Sequence, residues 1–462
     1  MTGRRLLGDA GFYKKVLLIA VPIMIQNGIT NLVALLDNIM VGQLGTEQMS
    51  GTAIVNQLLF VFNLTIFGSL SGSGIFGAQF FGQGNTKGIR DTFRFKAATG
   101  ITVLAVGAAI LLFFGTDLIS SYLTGNGENG NKALILSSGQ DYLRIMLVGL
   151  IPFTVTQVYA STLRETNHTF PPMFAGLAAV LINLMLDWAL IFGNLGLPRM
   201  GVKGAALATV IARFAECAGV VIWTHRNADK NEFIKGAFRT LAVPPELIKK
   251  IVISGLPLAV NECLWSSGMA TLNRCYSMRG VDVVAATNIS STIFNLFAVI
   301  FIALGNSVGI IVGQILGSGD MKKARETDTR LIIFTVLAGT VTGGLMAVLS
   351  GVFPMFYNTT DAIRALAGKI ITISGMFMPM AAFMHAAYFT LRSGGRTFIT
   401  FLFDSVYVWA ITIPTALLLI HFTDLDILAV YFLCQLVDII KVTIGFILIK
   451  KGVWLRNIVA SE

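Results

Sequence analysis

The chain has 462 residues, of which 55% are hydrophobic and 13% are charged, and its formal net charge is +10. An ordinary soluble domain contains about 25% charged residues, so this composition excludes a large soluble domain and indicates that lipid is the main solvent. The four cysteines lie in or beside apolar segments without paired spacing, which argues against a disulfide framework or a cysteine-ligated metal centre.

Stretches of about 20 apolar residues, enough to cross a bilayer, recur about twelve times along the chain. The second and eighth stretches are rich in glycine and run to about thirty residues, so we expect a tilt or a local bend in each. We therefore predict an all-α membrane protein with about twelve transmembrane helices. In chain order the stretches lie near residues 16–40, 52–81, 97–115, 143–162, 172–193, 204–224, 251–276, 285–316, 331–353, 370–391, 398–421 and 427–449.

Lysine and arginine are distributed unevenly between alternate loops. The N-terminal residues lack the apolar region and cleavage site of a signal peptide, so we expect them to remain, on the cytoplasmic side. The even-numbered loops and both chain ends then hold most of the basic residues, as the positive-inside rule requires. The net charge thus indicates a multi-pass protein of the cell (inner) membrane, with both termini cytoplasmic. We expect no nucleic-acid partner, because nucleic-acid binding needs basic residues gathered on one soluble face.

An internal repeat relates the two halves of the chain. At an offset of 235 residues, GIFGAQFFGQGNTKGIRDT from Gly74 aligns without a gap on GIIVGQILGSGDMKKARET from Gly309. Further on, TLRETNHTF from Thr162 matches TLRSGGRTF from Thr390. Because six spans separate corresponding points, the two halves have the same orientation, and transporters built in this way bind substrate between their halves.

The repeat divides the chain into predicted domains. We expect a six-helix bundle in residues 1–225, a cytoplasmic linker in 226–249 and a second six-helix bundle in 250–462. Residues that recur in both halves are assigned to helix packing, helix bending and loop closure; they are Pro22, Gly45, Gly74, Gln79, Gly82 and Gly84.

Several motifs together carry a resemblance to a known family. They are the opening VPIMIQNGITNLVALLDNIMVGQLG, the paired GxxxxQxxGxG segments, NLMLDWALIFG and GVKGAALATVIAR. In this order and doubled, they resemble the motifs of bacterial multidrug and toxic compound extrusion (MATE) transporters over nearly the whole chain. The resemblance implies a V-shaped pair of six-helix bundles that alternates between inward and outward openings. It also implies export of amphipathic, often cationic, compounds against an influx of protons or sodium ions.

Ionisable residues inside apolar spans are costly, and each is a candidate functional residue. Asp187 follows Asn183 by four residues, so the two side chains share one helix face and could share a cation. Burial among apolar groups favours the neutral form of a carboxyl group, so this aspartate could hold a proton until water or an organic cation arrives. In the resembled family a first-span Asp and a sixth-span Thr complete the cation site, and the matching positions here are Asp37 and Thr209.

The repeat distinguishes structural residues, which recur in both halves, from candidate functional residues, which occur in one half only. Asp37 aligns with Leu272, while Asn183 and Asp187 fall opposite Ile411 and Thr415. The polar cluster therefore exists only in the first half, and we expect coupling to reside there. A carboxylate with amide and hydroxyl neighbours accepts either H⁺ or Na⁺, so the coupling ion stays open, with Na⁺ possible at Asp37, Asn183 and Asp187.

Other intramembrane charges are weaker candidates. Glu262 and Asp404 are cation-coupling or substrate candidates in the second half, and the alternative for each is a pair with a neighbouring polar group. Arg213 and Glu216 lie three residues apart on one helix face, and we expect them to neutralise each other. The four histidines are isolated or lie in loops, so we expect no metal centre.

Three other functions are alternatives to antiport. A wide, strongly cationic central cavity would favour a lipid-linked saccharide flippase of the same broad superfamily. The intramembrane charges named in the first half are mostly acidic, which suits cationic compounds better. A channel fits an asymmetric carboxylate cluster less well than alternating access does. An enzyme is not expected, because HExxH, GxSxG and a P-loop ending are absent. We expect a monomer in the lipid bilayer that uses an ion gradient, needs no cofactor and binds small organic cations.

Overall fold

The computed structural model describes residues 8–123, 131–240, 242–357 and 359–460. Among these residues nearly all are helical and none is in a strand, which confirms the all-α prediction. The long helices are α1 (Ala10–Gly42), α2 (Thr46–Gln83), α3 (Thr86–Ser121), α4 (Lys132–Glu165), α5 (Phe170–Phe192), α6 (Val202–Arg226), α7 (Pro245–Ser277), α8 (Val281–Gly317), α9 (Met321–Val348), α10 (Asp361–Ser393), α11 (Thr397–Phe422) and α12 (Ile427–Lys451).

Each predicted span coincides with one of these helices. Within the described residues, eleven helices are long and apolar enough to cross a membrane. The remaining one, α7, has 33 residues and contains Lys249, Lys250, Glu262 and Arg274. Most helices continue beyond the apolar stretch at one or both ends, because a helix keeps its backbone hydrogen bonds through the polar interface as well.

Polar side chains mark where several helices begin. Asn131 accepts the Leu134 N–H at 3.1 Å at the start of α4, and Asp320 accepts the Lys323 N–H at 2.9 Å before α9. Asp426 caps α12 in the same way, at 3.0 Å from the Ala429 nitrogen. Such caps satisfy N–H groups that the first helical turn leaves without a partner.

Helix α11 departs from regular α-helix in its middle. Residues Leu402–Val406 and Val408–Thr412 are π-helical, and ordinary α-helix follows from Ile413 to Phe422. Helices α2 and α8 are continuous over 38 and 37 residues, and the tilt or bend expected for each stays a prediction. Single π-helical turns are frequent at functional positions, and the first π-helical segment of α11 contains Asp404.

The described residues pack into two compact units. The unit called here the N-unit contains Ile25–Gly77 and Thr86–Lys249. The other, the C-unit, contains the described parts of Met1–Met24, Ala78–Asn85 and Lys250–Glu462. The start of α1 and the end of α2 therefore pack with the second half of the chain. The domain boundaries at residues 225 and 250 stay a prediction.

The start of α1 joins the apolar core of the C-unit. Val16 and Ile19, which are 1% and 3% exposed, belong to one buried cluster with Val308, Ile311 and Leu316 of α8. Apolar side chains at three- and four-residue spacing lie on one helix face, so α1 and α8 can each present a stripe to this core.

The two copies of the GxxxxQxxGxG motif meet inside the C-unit. A Cβ atom at Gly82 would overlap the carbonyl oxygen of Gln314, and a Cβ atom at Gly317 would overlap that of Gln79. The buried Gln79 amide donates to the Ser393 carbonyl at 2.9 Å and accepts the Ile458 N–H at 2.8 Å. The contact is reciprocal, and it explains why these glycines recur in both halves.

We predict that Gly82→Ala lowers the free energy of unfolding by about 2 kcal/mol. The methyl group would overlap backbone atoms of Gln314, which cannot rotate away as a side chain can. Gly344→Ala is the matched control, since Gly344 is helical and nothing lies near its added Cβ atom. The control should be neutral or slightly stabilising. Thermal unfolding of both purified variants in detergent checks this, and equal melting temperatures would contradict the packing assignment.

Candidate functional site

Helix α5 buries two polar side chains on one face. Asn183 and Asp187 lie one turn apart and are only 4% and 1% exposed. Their helix begins with Phe170-Pro171-Pro172, and proline in the first turn is compatible with a helix start because the missing N–H has no helical partner there. Since the rest of α5 is almost wholly apolar, these two residues are its distinctive chemical feature.

Asp37 of α1 faces Asp187 of α5 within hydrogen-bonding reach. Two carboxylates are acceptors only, so a hydrogen bond between them forms only when one of them carries a proton. Both Asp187 oxygens and Asp37 Oδ1 are buried without a donor from the described residues. Burying two facing carboxylates is strongly unfavourable unless a proton or another cation lies between them.

Thr209 of α6 orients the neighbouring amide. Asn183 Nδ2 donates to Thr209 Oγ1 at 3.4 Å, and Thr209 Oγ1 itself donates to the Ala205 carbonyl at 3.0 Å. The Asn183 carbonyl oxygen, Oδ1, is buried and has no donor in the described part of the chain. The fold thus brings together Asp37, Asn183, Asp187 and Thr209, with oxygen atoms oriented to accept a proton or a cation.

A cavity of about 170 Å³ adjoins this cluster inside the N-unit. Asp37, Asn183 and Thr209 line it, and so do Gln26 and Glu216 farther along the same helices. The remaining lining residues are mostly apolar or small; they are Ile29, Thr30, Val33, Gly176, Leu177, Ala179, Val180, Ala212 and Arg213. The cavity is smaller than the 300–1,000 Å³ or so typical of drug-sized pockets, so it suits ions and water.

Arg213 and Glu216 do not neutralise each other directly, contrary to the sequence expectation. No ion pair joins them among the described residues, although Arg213 still acts on Glu216 electrostatically. Arg213 instead donates to the Gly149 carbonyl at 3.3 Å and lies 5.1 Å from the centre of the Phe153 ring. A guanidinium group gains from an aromatic face, and α4 supplies both partners here.

Glu262 and Asp404, the candidates in the C-unit, both have partners. Glu262 Oε1 accepts the Tyr388 hydroxyl at 3.3 Å. Asp404 accepts Lys441 Nζ at 2.8 Å and Asn261 Nδ2 at 3.0 Å. Lys441 is 7% exposed, so the cation that pairs with Asp404 is a buried side chain of the protein itself.

Sequence reasoning did not find these partners of Glu262 and Asp404. Lys441 lies within an apolar stretch of the sequence, but nothing in one sequence pairs α12 with α11. The available signal was its sign, because a buried lysine needs a carboxylate within reach. Tyr388 and Asn261 gave no such signal, since neutral polar residues are common in transmembrane helices.

No group of three or more His, Cys, Asp and Glu side chains clusters suitably for a metal ion in the described ranges. A metal cation at Asp37 and Asp187 would therefore depend on two carboxylates completed by the Asn183 amide and the Thr209 hydroxyl. Oxygen donors of this kind suit hard cations.

Two parallel helical repeats and a buried acidic cluster define the class of secondary membrane transporters built from duplicated bundles. The MatE family model matches residues 22–189 and 257–418, one segment in each half. These segments cover more than half of the chain. The chain belongs to the MATE (multidrug and toxic compound extrusion) family.

Known proteins resemble the chain along nearly its full length. The probable multidrug resistance protein NorM of Thermotoga maritima is 24% identical over 456 residues, which are 97% of this chain and 94% of that protein. The probable multidrug resistance protein YoeA of Bacillus subtilis is 22% identical and covers 91% of this chain and 89% of its own. A solved outward-facing MATE family transporter of the MOP superfamily has a TM-score of 0.86 at 18% identity, covering 98% of both chains. That structural likeness establishes the fold.

We predict that Lys441→Met lowers the free energy of unfolding by about 3 kcal/mol or more, because it leaves the Asp404 carboxylate buried without its cation. Combining it with Asp404→Asn should restore much of the loss, since both charges are then removed. The exposed pair of Arg364 and Asp361 is the control, and Asp361→Asn should change stability by less than about 1 kcal/mol. Thermal unfolding of these three variants and of Asp404→Asn alone measures the coupling, and simple additivity of the two buried changes would refute it.

Proposed function

We propose that this chain is a secondary active efflux transporter, which exports organic cations by antiport with H⁺ or Na⁺. The observation that carries the proposal is the Asp187 carboxyl group, which is almost fully buried and faces Asp37. It accepts no hydrogen bond of ordinary geometry from the described residues, although the Asn183 side chain lies nearby. Membership of the MATE family and the multidrug resistance relatives support the same function.

Antiport follows from the physical needs of this acidic pair. Two facing carboxylates are stable in a buried site only while a positive charge neutralises them in part. A proton, a sodium ion or the cationic group of a substrate can each supply that charge, so they compete for one site. Mutually exclusive binding of two cations makes each one drive the release of the other, which is the thermodynamic basis of exchange.

The energy for export comes from an ion gradient. One elementary charge moving across 100 mV gains about 2.3 kcal/mol, and any difference in ion concentration adds to this. Within the proposal, substrates are small amphipathic organic compounds with a positive charge. The transporter acts as a monomer in the cell (inner) membrane, with both termini in the cytoplasm.

The coupling role belongs to the N-unit in this proposal. In the C-unit, Lys441 already neutralises Asp404, so that carboxylate has no need of a mobile cation. Glu262 differs, because its described hydrogen-bond partner is the neutral hydroxyl of Tyr388. Of the two C-unit candidates, Glu262 is therefore the one that could contribute to substrate binding.

We expect Asp187→Asn and Asp37→Asn each to lower cation exchange at least about tenfold, which corresponds to about 1.4 kcal/mol in the transport barrier. Asparagine keeps the size of the side chain and removes its titratable charge. The measurement is efflux of a fluorescent organic cation from proteoliposomes that contain the full chain, under an imposed ion gradient. Asp117→Asn, at an exposed position of α3, is the matched control.

The same vesicles identify the coupling ion. Exchange is compared at fixed membrane potential with a proton gradient alone and with a sodium gradient alone. Wild-type rates in the double variant with both Asp37 and Asp187 replaced would disprove the site assignment. Exchange that needs neither gradient would disprove antiport itself.

A further inference from the structure

The cavity in the N-unit has two polar ends. At one end lie Asp37, Asn183 and Thr209. At the other end Gln26 and Glu216 meet beside Gly176: a Cβ atom added there would lie 3.4 Å from Glu216 Oε1 and 3.6 Å from Gln26 Nε2. Glycine on α5 thus leaves room for a carboxylate from α6 and an amide from α1.

The spacing of residues along three helices gives the distance between these ends. On α6, Glu216 follows Thr209 by seven residues, and on α5, Asn183 follows Gly176 by seven. At about 1.5 Å per residue, both intervals correspond to about 10 Å along the helix axis. On α1, the eleven residues from Gln26 to Asp37 correspond to about 16 Å.

A proton cannot pass over such a distance in one step, because hydrogen bonds between oxygen atoms are only about 2.8 Å long. The cavity of about 170 Å³ has room for several waters, because roughly 10–15 Å³ of such volume is enough for one. Four to six hydrogen bonds, each about 2.8 Å long, span roughly 11–17 Å, which is the range of these intervals. The cavity is therefore large enough for a file of waters that connects the two ends.

At the acidic end of the cavity, near Asp37, Asn183 offers a hydrogen-bond acceptor for such a file of waters. Asn183 borders the cavity, and its Oδ1 is buried and has no donor from the described residues. Buried polar atoms are normally hydrogen-bonded, to ordered water where protein gives no partner. A water donating to Asn183 would satisfy this oxygen and would lie beside the aspartates.

Glu216 is placed to exchange protons at the opposite end. Its carboxylate has no ion-pair or hydrogen-bond partner in the described residues. Two cationic groups act on it from farther away: Arg213 on its own helix and Arg164 on α4. Gln26 from α1 is the polar neighbour that faces it, and the α5 side of the contact is Gly176. This end offers too few oxygen atoms to replace the hydration of a sodium ion, whereas a proton needs one carboxylate and one water.

We propose that Glu216 is a proton-relay carboxylate, which passes protons along a file of waters in this cavity to and from the Asp37–Asp187 pair. The protonated Glu216 donates to the nearest water, each water hands one proton onward, and the last one protonates an aspartate. One proton is transferred and no electrons move; Glu216 becomes a carboxylate, which the aqueous side then reprotonates. This inference rests on the proposed antiport and specifies the proton as its coupling ion.

The test measures proton flux in proteoliposomes of the full chain that contain a pH-sensitive dye, after addition of tetraphenylphosphonium. Glu216→Gln should slow the flux about a hundredfold, the lower range for loss of a positioned proton-transfer group. Binding of tetraphenylphosphonium to the purified protein should stay within about twofold, because the aspartates remain. Gly176→Leu keeps every titratable group and fills the cavity, so it should slow the flux as well.

Rescue separates a relay from a purely structural role. Glu216→Asp should keep most of the flux, and added formate should partly restore Glu216→Ala, since a small weak acid can carry the proton in place of the missing carboxyl group. Glu246→Gln, at an exposed position outside the cavity, is the charge-matched control. A structural defect would respond neither to the shorter carboxylate nor to formate.

Three results would overturn the relay: wild-type flux in Glu216→Gln, failure of both rescues, or exchange by the unaltered protein that only sodium drives. In each of these cases the antiport can still stand, because Asp37→Asn and Asp187→Asn report on it separately. If those two variants also exchange cations at the unaltered rate, the proposed function itself fails.

Discussion

A hydrocarbon solvent offers no hydrogen-bonding partner, and this constraint governs the whole molecule. It forces the backbone into helices, which satisfy every peptide group internally. It also forces each intramembrane charge to find a partner inside the protein. Asp404 pairs with Lys441 at 2.8 Å, and the pair has no net charge. Asp187 faces Asp37, another acid, and in the proposed mechanism a mobile cation neutralises this pair. The candidate coupling site follows from this difference.

The two halves thus share a scaffold and differ in chemistry. Gly82 and Gly317 make the same close backbone approach from the two copies of one motif, as expected for residues that serve packing. The polar positions follow no such symmetry, since Asn183 and Asp187 have Ile411 and Thr415 as their counterparts. The repeat therefore accounts for the shared scaffold, whereas the acidic cluster is present in the first half only. The proposed relay through Glu216 uses residues of that same half.

Much of the fold could be predicted because its signals are local. Twelve apolar stretches and their spacing predicted the helices, and two aligned motifs predicted the repeat. Packing of the first turns of α1 into the C-unit could not be predicted, because Val16 meets α8 nearly 300 residues later in the chain. The π-helical part of α11 could not be predicted either, because apart from Asp404 and Ser405 residues 402–412 have the mostly apolar composition of an ordinary transmembrane helix.

The sequence by itself determined which residues lie on helices and which pairs share a helix face, as Asn183 and Asp187 do, because helical periodicity depends only on spacing. Tertiary structure alone decided which charges meet. It placed Asp187 against Asp37 and Lys441 against Asp404, and it turned Arg213 towards Phe153 instead of Glu216. Contacts of this kind depend on the rotation and tilt of helices that are distant in the chain, and packing of the whole unit sets both.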